Sequence, residues 1–109
     1  MQIKYTFKHM DSTPSVSEYA EAKFSRLEKF SLHKDPRIHF IFSVDKDDKV
    51  AEIIIDAGHV HHEAIARDPD MHAAVDAVID KIERQLQKHK EKVQDHRKSI
   101  PTPKMEDTE

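Results

Sequence analysis

Between residues 68 and 98, apolar residues recur every three or four positions, and this stretch limits the fold more than any other. At about 100° per residue, Met71, Val75, Val78, Ile82, Leu86 and Val93 share one face of a helix. Lys81, Arg84, Lys88 and Lys92 fall on an adjacent face, and Asp76, Asp80, Glu83 and Glu91 take the remaining side. A helix with a single apolar stripe must bury it against another element, so the rest of the chain has to supply a partner surface. Beyond Leu86 the stripe retains only Val93 while cations continue to Lys98. The last turns are therefore expected to project into solvent or onto a partner.

The remaining segments read as strands and one shorter helix. Ile3, Tyr5 and Phe7 alternate with Lys4, Thr6 and Lys8, the period of a strand with one buried face. Thr13 and Pro14 then form a cap-and-proline helix start. Val16, Ala20, Phe24 and Leu27, flanked by Tyr19 and Phe30, give a first helix over residues 14–30. Ile38, Phe40, Phe42 and Val44 alternate next, and a polar turn at residues 45–48 leads into a strand over residues 50–56. Gly58, the only glycine, marks a second hairpin before an extended run over residues 60–67, because a residue without Cβ turns freely at positive φ. Asp68 and Pro69 repeat the cap-and-proline signal. The order β-α-β-β-β-α predicts an α+β domain, one four-stranded sheet with two helices packed on one face, resembling double-stranded RNA-binding domains. Its other sheet face, with His39, Ile41 and Ser43, is expected to be open.

A chain of 109 residues with 37% hydrophobic composition and no repeat supports one modest core, placed at residues 1–98, followed by a disordered tail at residues 99–109. Without cysteine there is no disulfide and no thiolate metal site, and with no apolar run of signal-peptide or membrane-spanning length the chain reads as soluble and cytoplasmic. The formal charge is −3, but residues 81–98 hold seven Lys and Arg against three acids, a local +4 that leaves −7 elsewhere. An ordinary surface helix scatters both signs over its solvated arc. A cationic row sorted away from the acids asks for an anionic partner, most naturally a nucleic-acid backbone.

Two stretches also match a known family. The run Asp70-Met71-His72-Ala73-Ala74-Val75-Asp76, followed by Asp80-Lys81-Ile82-Glu83-Arg84-Gln85-Leu86-Gln87-Lys88-His89-Lys90, resembles the signature of bacterial ribosome hibernation-promoting factors, also called ribosome-associated inhibitors. Ala22-Lys23-Phe24-Ser25-Arg26-Leu27-Glu28-Lys29 is similar to that family's first-helix pattern. The resemblance covers residues 1 to about 96 and is to the short form, without the C-terminal dimerisation domain of long members. It implies a protein that binds the 30S subunit and the 70S ribosome through 16S rRNA, occupies the mRNA and tRNA channel, and inhibits translation by occlusion. It also implies that Lys23, Arg26, Lys29, Lys81, Arg84, Lys88, Lys90 and Lys92 meet the RNA. His72 stands where the family usually has tyrosine. Some short forms promote paired 100S ribosomes and a related one opposes pairing; residues 97–109, intermediate in length and acidic at the end, leave both behaviours open.

Read from the residues alone, Lys23 interrupts the apolar arc of the first helix, where its ammonium has to reach an edge. If the helices lie side by side, Lys23 and Arg26 extend the second helix's cationic row into one joined basic strip. Nine histidines raise an alternative, a metal-binding or metal-sensing module around His59, His61, His62 and Glu63, but two neighbours on one strand face fall short of the three or four ligands a zinc site needs. His89 falls on the apolar stripe and is expected to be partly buried. The serines sit in no nucleophile setting, and one glycine builds neither a phosphate-cradling loop nor a dinucleotide turn, so no enzyme, no cofactor and no small-molecule substrate is expected. Tyr5, Phe7, Phe24, Phe40 and Phe42 occupy core-facing positions, which favours backbone and shape contacts over base stacking. With little apolar surface left over, the free protein is expected to be a monomer.

Overall fold

A computed structural model describes residues 2–30, 35–58 and 60–99, with side chains as far as residue 90. Strand β1 (Gln2–Lys8) is followed by helix α1 (Pro14–Phe24), a 3₁₀ segment (Ser25–Phe30), strands β2 (Arg37–Asp45), β3 (Asp48–Ala57) and β4 (Val60–Asp68), and helix α2 (Met71–Ser99). The strands lie in the order β1-β2-β3-β4. β1 runs parallel to β2 across the α1 crossover, and the two hairpins are antiparallel. The expected tail at residues 99–109 falls outside the described residues from 100 onward.

Register explains the core. Ile3, Tyr5 and Phe7 pair with Ile38, Phe40 and Phe42, which pair in turn with Ile55, Ile53 and Ala51, and these point to the helical layer. Phe40, Phe42, Ile53 and Ile55 are fully buried there, with Phe24 and Leu27 from the first helical stretch and Val75, Val78, Ile79 and Ile82 from α2. The tyrosine and phenylalanine rings form a continuous stack, Tyr5 to Phe40 at 5.7 Å and Phe40 to Phe42 at 5.8 Å, closed by the edge of Phe24 at 6.1 Å. Among the described side chains the last buried in α2 is Leu86, and residues 87–90 are exposed; Val93 and the turns expected to project beyond the core lie outside them.

Three local expectations are corrected. The first helix is not α-helical to residue 30: it tightens into 3₁₀ after Phe24, where the Ser25 hydroxyl donates back to the Ala22 carbonyl at 2.6 Å. The reason is in the spacing, because Phe24, Leu27 and Phe30 recur every three residues, the period that a 3₁₀ turn places on one face. Thr13 occupies the N-cap, but its hydroxyl donates to the Asp11 carbonyl and accepts no helix N–H; only its carbonyl is used, by Val16 and Ser17. At α2 the cap is Asp70 in place of Asp68. The Asp70 carboxylate accepts from the Ala73 N–H, and Asp68 instead holds the Asp70 N–H at 2.9 Å, leaving Pro69 outside the helix. Gly58 has φ +64° between β3 and β4, as its placement at the second hairpin requires; Lys46 takes φ 61° in the first.

Candidate nucleic-acid interface

Two flanks of α2 diverge from its buried stripe. Asp76, Asp80 and Glu83 turn toward the first helical stretch, where the three-residue period that seats Phe24 and Leu27 also aligns Lys23, Arg26 and Lys29. Arg26 Nη2 donates to Glu83 at 2.7 Å and to Asp80 at 3.4 Å, Lys29 Nζ lies 3.2 Å from Glu83, and Lys23 Nζ lies 3.7 Å from Asp76. The Arg26 hydrogen bond, reinforced by that of Lys29, holds the Glu83 carboxyl below the usual carboxylate range, and the same bond to Glu83 raises Arg26. Tyr19 completes the cluster. Its hydroxyl donates to Asp76 at 2.7 Å, a bond that pushes its own ionisation up; the Lys23 ammonium sits 5.3 Å from its ring centre. The exposed His72 meets the Tyr19 ring edge-on at 4.4 Å.

The opposite flank faces β4 and solvent. Lys81 Nζ donates to the Ile65 carbonyl at 2.7 Å, and one turn on, Gln85 Nε2 donates to the Glu63 carbonyl at 2.7 Å. The Gln85 oxygen accepts from His62 Nδ1 at 3.2 Å, which leaves His62 Nε2 buried and without a partner among the described residues. Burial, assisted by nearby His89, lowers the His62 pKa. Arg84 and Lys88 lie further round this flank. Both are exposed, and among the described residues neither meets a carboxylate. Lys90 is exposed two turns beyond Glu83, on the other flank, and the Lys92 side chain lies outside the described residues.

The joined two-helix strip is therefore not formed. The structure brings Lys23, Arg26 and Lys29 together as a row, but it inserts the α2 carboxylates between that row and Arg84 and Lys88. Sequence reading had sorted those acids to the right side of α2 without recognising them as partners for the first helix. The available signal was numerical: basic residues at 23, 26 and 29 and acids at 76, 80 and 83 have nearly equal spacing. Lys23 does reach an edge, with its side chain 34% exposed. His89 is exposed and not partly buried; its ring meets that of His62 at 5.8 Å. His61 and His62 occupy opposite sheet faces, and both ring nitrogens of His61 are taken by carboxylates, Asp56 at 2.5 Å and Glu63 at 2.7 Å. Among the described residues no group of three or more possible ligands is arranged to hold a metal ion, and no helix is long and apolar enough to cross a membrane. His59 lies outside them.

A mixed four-stranded sheet with two helices on one face, and on α2 two exposed cations that meet no carboxylate among the described residues, defines a small α+β domain with a basic helix flank. The particular family follows from comparison with known proteins: residues 3–94 match the Sigma 54 modulation protein / S30EA ribosomal protein family, and the chain belongs to it. Among its relatives are ribosome hibernation promoting factors of Escherichia coli, 37% identical over 101 residues with 88% of this chain and all of the relative covered, and of Klebsiella oxytoca, 36% identical over 98 residues with the same coverage. A ribosomal subunit interface protein from Coxiella burnetii superimposes with a TM-score of 0.71 at 29% identity, covering 83% of this chain and 98% of its own. The Thermus thermophilus Protein Y N-terminal domain gives the same TM-score at 25% identity, covering 82% and 99%. These are ribosome-associated factors that act in hibernation and translation regulation, not a known enzyme family. Nothing in the comparisons supports the expected likeness to double-stranded RNA-binding domains.

Proposed function

We propose that this protein binds the small ribosomal subunit through 16S rRNA, fills the channel used by mRNA and tRNA, and silences translation by occlusion without making or breaking a bond. Residues 1–98 act as the binding unit, and the site of action is the cytoplasm. The observation that carries this reading is the outer flank of α2. Arg84 and Lys88 stand exposed and unneutralised among the described residues, on a helix whose relatives are ribosome hibernation factors. Lys81 adds charge beside them while donating to β4, and Lys92 follows at the same helical spacing. Lys90 joins from the other flank.

Lys23, Arg26 and Lys29 contribute by exchange. Exposed ion pairs are individually weak, so a phosphate can displace Asp76, Asp80 or Glu83 at small cost. Folded RNA offers such phosphates in rows, and the resulting contacts carry little sequence information, which suits a protein reading shape.

The test is co-sedimentation of the protein with 30S and 70S particles in a sucrose gradient, together with inhibition of cell-free translation. Wild-type protein is expected to travel with the particles and to inhibit; Arg84→Glu with Lys88→Glu is expected to abolish both while leaving the fold intact by circular dichroism. Failure of the wild-type protein to co-sediment, or full activity of the charge-reversed variant, overturns the reading.

A further inference from the structure

The seam between α1 and α2 changes character at its head. His72, Asp76, Asp80 and Glu83 recur every three or four residues, so they line one flank of α2, and each meets a side chain of the first helical stretch. Three of these contacts are ionic: Asp76 with Lys23, Asp80 with Arg26, and Glu83 with Arg26 and Lys29. The fourth is a pair of rings. His72 meets Tyr19 with ring centres 4.4 Å apart and planes at 89°; Tyr19 is packed against the core, and His72 is exposed.

A pair of rings offers RNA something that the ionic contacts do not. At Asp76, Asp80 and Glu83 an arriving phosphate has to displace a carboxylate. At His72 nothing is displaced, because among the described residues its imidazole makes no hydrogen bond and no ion pair. The surroundings also disfavour a phosphate there. The Tyr19 hydroxyl bond to Asp76 does most to raise that tyrosine's ionisation, followed by burial and then by the charges of Asp76 and Asp70, so the ring pair sits in a negative field. A neutral group suits such a place, and the neutral, flat part of a nucleotide is its base. An exposed ring whose tilt is fixed by an edge-to-face partner has little freedom left to lose when a base stacks on it. Beside it stands a cation for the phosphate, since the Lys23 ammonium lies 5.3 Å from the centre of the same Tyr19 ring.

We infer that His72, held in place by Tyr19, is a stacking contact for an unpaired base of the bound RNA, with an adjoining phosphate on Lys23. The base is an unpaired one because a base within a duplex has both faces covered by its neighbours. This inference rests on the proposed binding to 16S rRNA and adds to it one contact with a base, where Arg84, Lys88 and the first-helix cations meet backbone. Sequence reading weighed the tyrosines and phenylalanines for stacking and found them core-facing. A histidine in the first turn of α2 was read for charge and metal, not as a ring.

Fluorescence anisotropy of labelled protein titrated with 30S particles across a salt series tests the contact. His72→Leu keeps bulk against Tyr19 and removes the ring. It should bind about five- to hundredfold more weakly with an unchanged salt slope, because stacking releases no counterions. His72→Phe should restore the affinity, and His72→Lys, which supplies charge without a ring, should not. Leu and Phe both pack on Tyr19, so the difference between these two variants reads the ring and not the fold. Wild-type affinity in His72→Leu, or rescue by His72→Lys with a steeper slope, would overturn the assignment. A wild-type protein that does not bind 30S particles overturns this contact and the proposed function together, whereas binding indifferent to residue 72 overturns this contact alone.

Discussion

Neutralising Glu83 is expected to tighten binding to small subunits. In the free protein its carboxylate holds Arg26 at 2.7 Å and Lys29 at 3.2 Å, so neither cation reaches phosphate without leaving it. Glu83→Gln removes the competitor and adds one net positive charge to the interface. Each phosphate neutralised steepens the fall of log affinity with log salt by about 0.7–0.9, which at roughly 0.1 M salt corresponds to about five- to eightfold in affinity. With one net positive charge gained at the interface the variant should bind about five- to eightfold tighter, its salt slope steeper by about 0.7–0.9. The fold should lose little, because Arg26 and Lys29 are 47% and 62% exposed and such pairs are weak. Fluorescence anisotropy of labelled protein titrated with 30S particles across a salt series at fixed magnesium measures both quantities, and urea denaturation checks the fold. Unchanged affinity with an unchanged slope would show that the first helix's cations do not meet RNA, and would confine the interface to the outer flank of α2.

Ile82→Ala, at a fully buried position under α2, should cost about 2–5 kcal/mol in urea denaturation, and a loss below about 1 kcal/mol would mean that α2 is not docked as described. Asp70→Ala should cost about 1 kcal/mol through loss of the α2 cap, whereas Thr13→Ala should cost only a few tenths because its hydroxyl caps nothing; equal losses by thermal denaturation would contradict this. The two strand histidines act with opposite sign on pH dependence. His62 has a lowered pKa, so its contribution is complete above its unfolded value of about 6.5 and is lost as pH falls below it. His61, raised by its bonds to Glu63 and then Asp56, contributes fully below about 6.5 and loses that as pH rises through its folded value. His62→Leu should therefore flatten the acid side of a urea-midpoint profile and His61→Gln should steepen it, and identical profiles would refute the assignment.

Periodicity made the elements and their faces legible. Alternation at Ile38, Phe40 and Phe42, and again around Ile53, set both the strands and the direction in which they point, because burial on one face imposes a two-residue period whatever lies beyond. The lone glycine located its hairpin for a backbone reason. Less legible was what depends on two elements at once. A three-residue period in Phe24, Leu27 and Phe30 was present but was absorbed into an α-helical reading that tolerates it. The flanks of α2 were sorted by charge correctly, yet periodicity describes a helix about its own axis and does not say which flank a second helix occupies. The carboxylates at Asp76, Asp80 and Glu83 consequently belong to the contact between the two helices, and in the proposed complex they are the groups an RNA has to replace.

Lys81 and Gln85 laid along β4 bear on a different hazard. By occupying the outward carbonyls of Ile65 and Glu63, they deny an extended peptide the hydrogen bonds it needs to join the sheet on that border. If RNA draws Lys81 away, the border loses one of its two plugs, so crowded storage off the ribosome and engagement on it make opposite demands of a single ammonium group.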